Sequence, residues 1–215
     1  YARLRELNPQ VIMASISGFG QSGPLSEKTA FDFIAQAYSG LMHMTGEPDG
    51  PPMLIGAGIA DTSTGVHAFA ALGYALYRRD RTGEGSHLDI GMVDVMYHMQ
   101  ETAVSGPSLS QGEVVGMRTG RHYAPASPAG IFKGPQGWIV VFALENQIAN
   151  LWAALGMSEL GEDPRFQNNR TRLEHRDALT DIIENWMDSF DSDEAVVAVL
   201  EQHRVPCGPV VEPVK

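Results

Sequence analysis

The chain has 215 residues, 43% of them hydrophobic, and a formal charge of −11, an ordinary globular composition. That charge speaks against nucleic acid or an anionic membrane surface as partner, since both require a basic face. A single cysteine, Cys207, excludes an intrachain disulfide framework and suits the reducing cytoplasm. No apolar run approaches the ~20 residues needed to span a bilayer. Tyr1 falls inside what reads as a helix end and Lys215 follows Val-Glu-Pro, so both ends read as cuts in a longer polypeptide.

In chain order, Val11-Ile-Met-Ala-Ser-Ile-Ser17 predicts a buried parallel strand that runs into a glycine-rich turn. Apolar residues at Phe31, Ile34, Ala35, Tyr38, Leu41 and Met42 predict a helix from 31 to 44. The clearest helix is Thr62–Arg79, with Val66, Phe69, Leu72, Leu76 and Tyr77 on one broad face and Arg78 and Arg79 at its negative end. His87–Gly91 predicts a strand and Met92–Thr102 a helix. From about 106 to 127 the chain is rich in Gly, Ser and Pro and reads as a connection. Two short apolar runs flank Gly134-Pro-Gln-Gly137 as a hairpin. Helices are then expected over Glu145–Leu155, from a capping box at Thr171–Glu174 to Met187, and after Asp191. Pro206-Cys-Gly-Pro-Val-Val is expected to be extended and to leave the domain, and Trp138, Trp152 and Trp186 to sit in its core.

Gly18-Phe-Gly-Gln-Ser-Gly23 matches the G-x-G-x-x-G fingerprint and follows a predicted strand. In a dinucleotide site a helix begins at that turn, and an acidic residue closes a second strand about 20 residues on. Here Pro24 follows at once and no such strand arrives, so the reading is a glycine loop lying against some other ligand or backbone. Asp61 stands between Leu54-Ile-Gly-Ala-Gly-Ile-Ala60 and the clearest helix. As a helix N-cap it is an ordinary choice. The same placement suits a nucleophilic carboxylate, with helix N–H groups available to a developing oxyanion. The seven histidines show no metal-ligand spacing, and no metal site is expected. His122 reads as a surface residue and Cys207 as a small filler.

Several segments, in order along nearly the whole chain, resemble the class III CoA-transferase family, which includes formyl-CoA and carnitine CoA-transferases and the 2-methylacyl-CoA racemases. They are Asn8–Pro24, Ala30-Phe-Asp-Phe-Ile-Ala-Gln-Ala-Tyr-Ser-Gly40, Thr45–Pro52, Ala60-Asp-Thr-Ser-Thr-Gly65, Leu88–Asp94, Asp163-Pro-Arg-Phe166 and Val205–Val210. The resemblance implies an α/β fold: residues 1–105 the later part of a Rossmann-like, CoA-binding large domain, 106–127 a linker, 128–205 a small α+β domain, and 206–215 the start of a return linker. It implies two interlocked chains, so that 1–215 alone would leave apolar surface uncovered and aggregate. It also implies a CoA-transferase in which Asp61 attacks an acyl-CoA and becomes a thioester, then passes CoA to a carboxylic acid acceptor. CoA is then a substrate, with no permanently bound cofactor.

By the same resemblance Asp32 supports catalysis, where its plain alternative is a helix-start carboxylate. Gly18, Phe19 and Gly20 of the loop, with Lys28, Phe31 and Met92, fall at positions near CoA. Surface solvation for Lys28 and core packing for Met92 are the plain alternatives. The racemases carry His at the position of Phe31, and Phe cannot transfer a proton, which weighs against racemase chemistry. A non-catalytic CoA-binding or assembly module is the remaining alternative. Where formyl-CoA transferases have a glycine-rich loop, this chain has the stiffer Ala124–Gly130, which leaves the acyl group open.

Overall fold

Ile12–Ser17 (β1) and Ser86–Gly91 (β2) pair in parallel, from Ile12 opposite Ser86 to Ser17 opposite Gly91. Parallel neighbours require a crossover, and here the 24-residue helix Ile59–Thr82 (α4) makes much of it. The computed structural model describes residues 1–213, apart from the side chain of Thr102. It is a mixed α/β structure of two units, the first Tyr1–Arg118 and the second beginning at Thr119. Residues 214 and 215 of the expected return linker lie outside the described residues.

The first unit opens with Ala2–Leu7 (α1), ahead of β1. The helix expected over 31–44 is two, Asp32–Tyr38 (α2) and Leu41–Met44 (α3). Gly40 separates them at φ 88°, a left-handed conformation that ends one helix and redirects the chain. α4 begins three residues before the expected start and stops at Gly83, φ 71°, whose N–H bonds the Arg79 carbonyl. Its buried residues are small: Ala60, Thr64, Ala68 and Ala75. The broad apolar face read from the sequence points outward, with Val66, Phe69, Leu76 and Tyr77 all exposed. An open groove of about 670 Å³ lies between that helix and β1, lined by Val11, Ile12, Phe69, Leu72 and Leu76 among others. Met92–His98 (α5) follows β2 directly, and Met92, Val95 and Met96 form a compact core with Ala35 and Ala60. A π-helical turn at Glu101–Ser105 and the short Gly106–Leu109 (α6) replace the rest of the expected helix and part of the linker.

In the second unit Ala129–Lys133 (β3), Trp138–Phe142 (β4) and Cys207–Pro209 (β5) form an antiparallel sheet with β4 central. Cys207–Pro209 therefore stays in this unit as its third strand and does not leave it. Along β4, Ile139 and Val141 are buried, and Trp138, expected in the core, faces outward with Val140. Among the described residues four α-helices and a 3-10 turn at Ser158–Gly161 complete the unit: Ile148–Leu155 (α7), Asn169–Glu174 (α8), Arg176–Met187 (α9) and Asp193–Gln202 (α10). The capping box is Asn168 with Thr171, three residues earlier than expected, and His175 breaks the expected single helix. The core joins Phe132, Ile139 and Val141 to Leu151, Phe166, Leu179, Ile183, Met187, Val196 and Leu200. No helix of the described residues is long and apolar enough to cross a membrane.

Half-buried His122 stacks edge-on against Phe132. Burial first, then the Arg176 and Arg121 guanidiniums, holds its imidazole below the ordinary value of 6.5. The unfolded chain then binds more protons than the folded one just below pH 6.5, so stability is full above that value and falls as pH drops through the folded value. All three tryptophans, Trp138, Trp152 and Trp186, lie in this unit, so their fluorescence reports its unfolding in this chain. We expect the urea midpoint by fluorescence to fall between pH 7 and 5, and His122→Gln to flatten that slope. An equal slope in the variant would assign the effect elsewhere.

Candidate active site

The first turn of α4 has no local cap. Its N-cap position is Gly58, which has no side chain to accept from the N–H groups of that turn. Asp32, the first residue of α2, supplies the acceptor from 29 positions away: the Asp61 N–H donates to Asp32 Oδ2 at 2.9 Å. Asp61 is thus not the N-cap the sequence suggested but lies inside the first turn, at the third helical position, where a carboxylate complements the positive helix end. Its side chain is exposed and, among the described residues, has no hydrogen-bond or ion-pair partner. Of the first-turn N–H groups expected to serve an oxyanion, two are engaged, that of Ile59 with the Ala57 carbonyl and that of Asp61 with Asp32.

Asp32 is buried at 7% exposure. Its other oxygen, Oδ1, accepts from Gln36 Nε2 at 2.5 Å. Gln36, fully buried, also donates to the Ala57 carbonyl at 3.3 Å and accepts the Ile55 N–H on Oε1 at 3.2 Å. A polar cluster of Asp32, Gln36 and the 55–57 backbone therefore braces the segment that leads into α4. Sequence reasoning missed Gln36. The one available signal was its i, i+4 spacing from Asp32.

The glycine loop leaves the carboxyl end of β1. Gly18 sits so close to Ala30 that a Cβ there would lie 2.3 Å from the Ala30 Cβ, so only glycine lets the approach to α2 pack this tightly. Gly20 adopts φ 84°, and the next residue, Gln21, donates its N–H to both carboxylate oxygens of Asp89, at 3.0 and 2.9 Å. No helix begins at this loop, because the next one starts at Asp32; the geometry is not that of a dinucleotide fingerprint.

Phe19 packs edge-on against Tyr38 at 4.9 Å, and Lys28 Nζ donates to the Tyr38 hydroxyl at 2.8 Å. Phe31 precedes Asp32 and is 82% exposed. Met92 is buried beneath the loop, and a Cβ on Gly18 would lie 3.9 Å from its Cε. The structure thus brings Asp32 to Asp61, Met92 to Gly18, and Phe19 to Lys28 through Tyr38. Among the described residues no group of three or more His, Cys, Asp or Glu is arranged to hold a metal.

A family model described as CoA-transferase family III matches residues 1–215. The chain belongs to that family. It is 33% identical over 98% of its length to a succinate–glutarate CoA-transferase of Agrobacterium fabrum, covering 52% of that protein. It is 35% identical over 97% of its length to a succinyl-CoA–D-citramalate CoA-transferase of Chloroflexus aurantiacus, covering 52% of that one. The chain spans about half the length of the curated relatives it matches. Among solved structures, a CaiB/BaiF family protein from Brucella suis superposes with a TM-score of 0.81 at 33% identity, covering 99% of this chain and 56% of that one.

Proposed function

We propose that this member of CoA-transferase family III moves CoA from an acyl-CoA donor to a carboxylic acid acceptor, with Asp61 as the covalent relay. The observation that carries the reading is an exposed Asp61 carboxylate, without a partner among the described residues, on a backbone locked from behind by Asp32. The Asp61 carboxylate adds to the thioester carbonyl and expels CoA thiolate, leaving a mixed anhydride. The thiolate attacks the aspartyl carbonyl of that anhydride, releasing the donor's carboxylate and leaving an aspartyl-CoA thioester. The acceptor carboxylate then repeats the two exchanges in reverse order, and Asp61 is regenerated. No proton is gained or lost in the cycle, so no general base is required beside Asp61.

Racemisation, by contrast, needs two proton-transferring groups at one carbon. Phe31 has no such proton, and both Asp32 oxygens are engaged in a buried site. Asp32 serves here as the tertiary cap of α4.

The same reading assigns CoA contacts to Gly18, Phe19, Gly20, Lys28 and exposed Phe31, with Met92 supporting the loop from the core. The first unit belongs to a Rossmann-like large domain, and two chains interlock as a homodimer. The exposed apolar face of α4 and its groove against β1 support that assembly, because surface of this kind is normally covered. CoA acts as substrate in a cytoplasmic protein, in keeping with the unpaired Cys207, whose thiol burial pushes above its ordinary value. Relatives named for succinate, glutarate, oxalate and D-citramalate make short di- and hydroxy-carboxylates the first acceptors to try.

The gene product at its natural length, incubated with succinyl-, acetyl- or formyl-CoA and quenched with borohydride, is expected to show Asp61 reduced to homoserine by peptide mass spectrometry. Hydroxylamine should convert the same residue to a hydroxamate. CoA binding without modification of Asp61 by any donor would overturn the reading.

A further inference from the structure

We propose that Gln36 is a positioning residue for Asp61, acting through Asp32 and the 55–57 backbone. The inference rests on the reading of Asp61 as nucleophile. Gln36 is fully buried, and its amide orientation is fixed by its surroundings: two acceptors, Asp32 Oδ1 and the Ala57 carbonyl, lie on one side and a donor, the Ile55 N–H, on the other. Only the nitrogen serves the first side and only the oxygen the second.

Two consequences follow for Asp61. First, donation to Oδ1 orients the Asp32 carboxylate so that Oδ2 meets the Asp61 N–H, a bond that caps the first turn of α4 from another element. Second, the bonds to Ile55 and Ala57 hold the segment that enters α4, so Gly58 and the turn behind Asp61 are fixed to the same side chain. Glutamine satisfies all of these contacts with one neutral group. A carboxylate would satisfy Ile55 but present a second negative charge to Asp32, and an apolar side chain would satisfy none of them. Small displacements at a reacting group are expensive: about 1 Å of misplacement costs on the order of 10²-fold in rate.

The test combines two variants and two readouts on the natural-length protein. In Gln36→Met, of similar volume, hydrogen exchange at the Asp61 amide is expected to speed up at least about tenfold, because its acceptor is no longer oriented. This readout does not depend on activity. Acyl transfer by that variant is expected to lose about 10²-fold in kcat with little change in KM, at every pH.

In Gln36→Glu the loss is expected to be similar at pH 8 and to recover as pH falls toward 5.5. Two adjacent carboxylates share a proton there, and the introduced carboxyl group, once protonated, donates to Asp32 again. Unchanged exchange at Asp61 in Gln36→Met, or a Gln36→Glu pH profile parallel to that of the parent, would overturn the proposal. If Gln36→Met does not fold, the pH recovery of Gln36→Glu decides it. Faster exchange at Asp61 in a protein whose parent never labels Asp61 would instead sink the nucleophile reading and leave the positioning geometry standing.

Discussion

Replacing Asp61 with asparagine is expected to lower CoA transfer by at least about 10³-fold while leaving the fold intact. The asymmetry follows from how the residue is held. Its backbone is anchored, N–H to Asp32 Oδ2 at 2.9 Å, and asparagine keeps that bond unchanged. Its side chain has no partner among the described residues, so the substitution breaks no hydrogen bond or ion pair with them. What is lost is a favourable charge in the first turn of α4, about 0.3–1 kcal/mol. The amide that replaces the carboxylate is a poor nucleophile and forms neither anhydride nor thioester.

Steady-state transfer assayed by chromatography of the CoA esters, together with a thermal melt, checks both halves. A variant that keeps more than a tenth of the parent rate would remove Asp61 from the covalent path. One that loses activity together with several kilocalories of stability would show the side chain to be structural after all. Alanine is the weaker test, because it also changes the start of the helix.

Short-range features of this chain are legible in the sequence, and contacts that cross it are not. β1, β2, the hairpin and the body of α4 follow from apolar spacing and turn residues, and the structure has them, although β1, expected to be buried, is at most half-buried and leaves Ile16 exposed. The helix over 31–44 reads as one because the apolar spacing continues across Gly40. Backbone at φ 88° divides it regardless, and a Ser-Gly pair is the signal available. Asp61 reads as a cap because the usual capping residue is local. Here glycine occupies the N-cap position and the capping carboxylate comes from Asp32, 29 residues earlier.

Gln36 looks like one polar residue on an amphipathic helix, and nothing local announces its complete burial. Cys207–Pro209 looks like a departing linker because proline flanks and ends it. A three-residue strand at the edge of the sheet tolerates proline where a central strand would not. The contact of Asp32 with Asp61 required the fold; the family likeness implied a nucleophile at Asp61 and a supporting part for Asp32, but not the cap.

Arg172 is the clearest such omission, and its replacement carries the largest expected stability effect. Its side chain is 1% exposed, in the core side of α8. Nε donates to the Ser127 carbonyl at 2.7 Å, Nη1 to the Phe166 carbonyl at 3.0 Å, and Nη2 meets the Glu145 carboxylate. One guanidinium thus ties three loops of the second unit to one helix. Methionine matches much of the volume but leaves both buried carbonyls without a donor, each worth about 1–3 kcal/mol. Arg172→Met is therefore expected to cost about 3–5 kcal/mol in urea unfolding followed by tryptophan fluorescence.

Glu145 is 61% exposed, so its charge is well screened. Glu145→Gln, which retains an acceptor, is expected to cost only about 1 kcal/mol. In the Arg172→Met background the same change should cost close to nothing, because the charge it served is gone. If the two costs simply add, Arg172 acts through the carbonyls alone and the ion pair contributes no stability. If Arg172→Met costs less than about 1 kcal/mol, the loops at Ser127 and Phe166 hold their positions without it, and the buried guanidinium is not what fixes them.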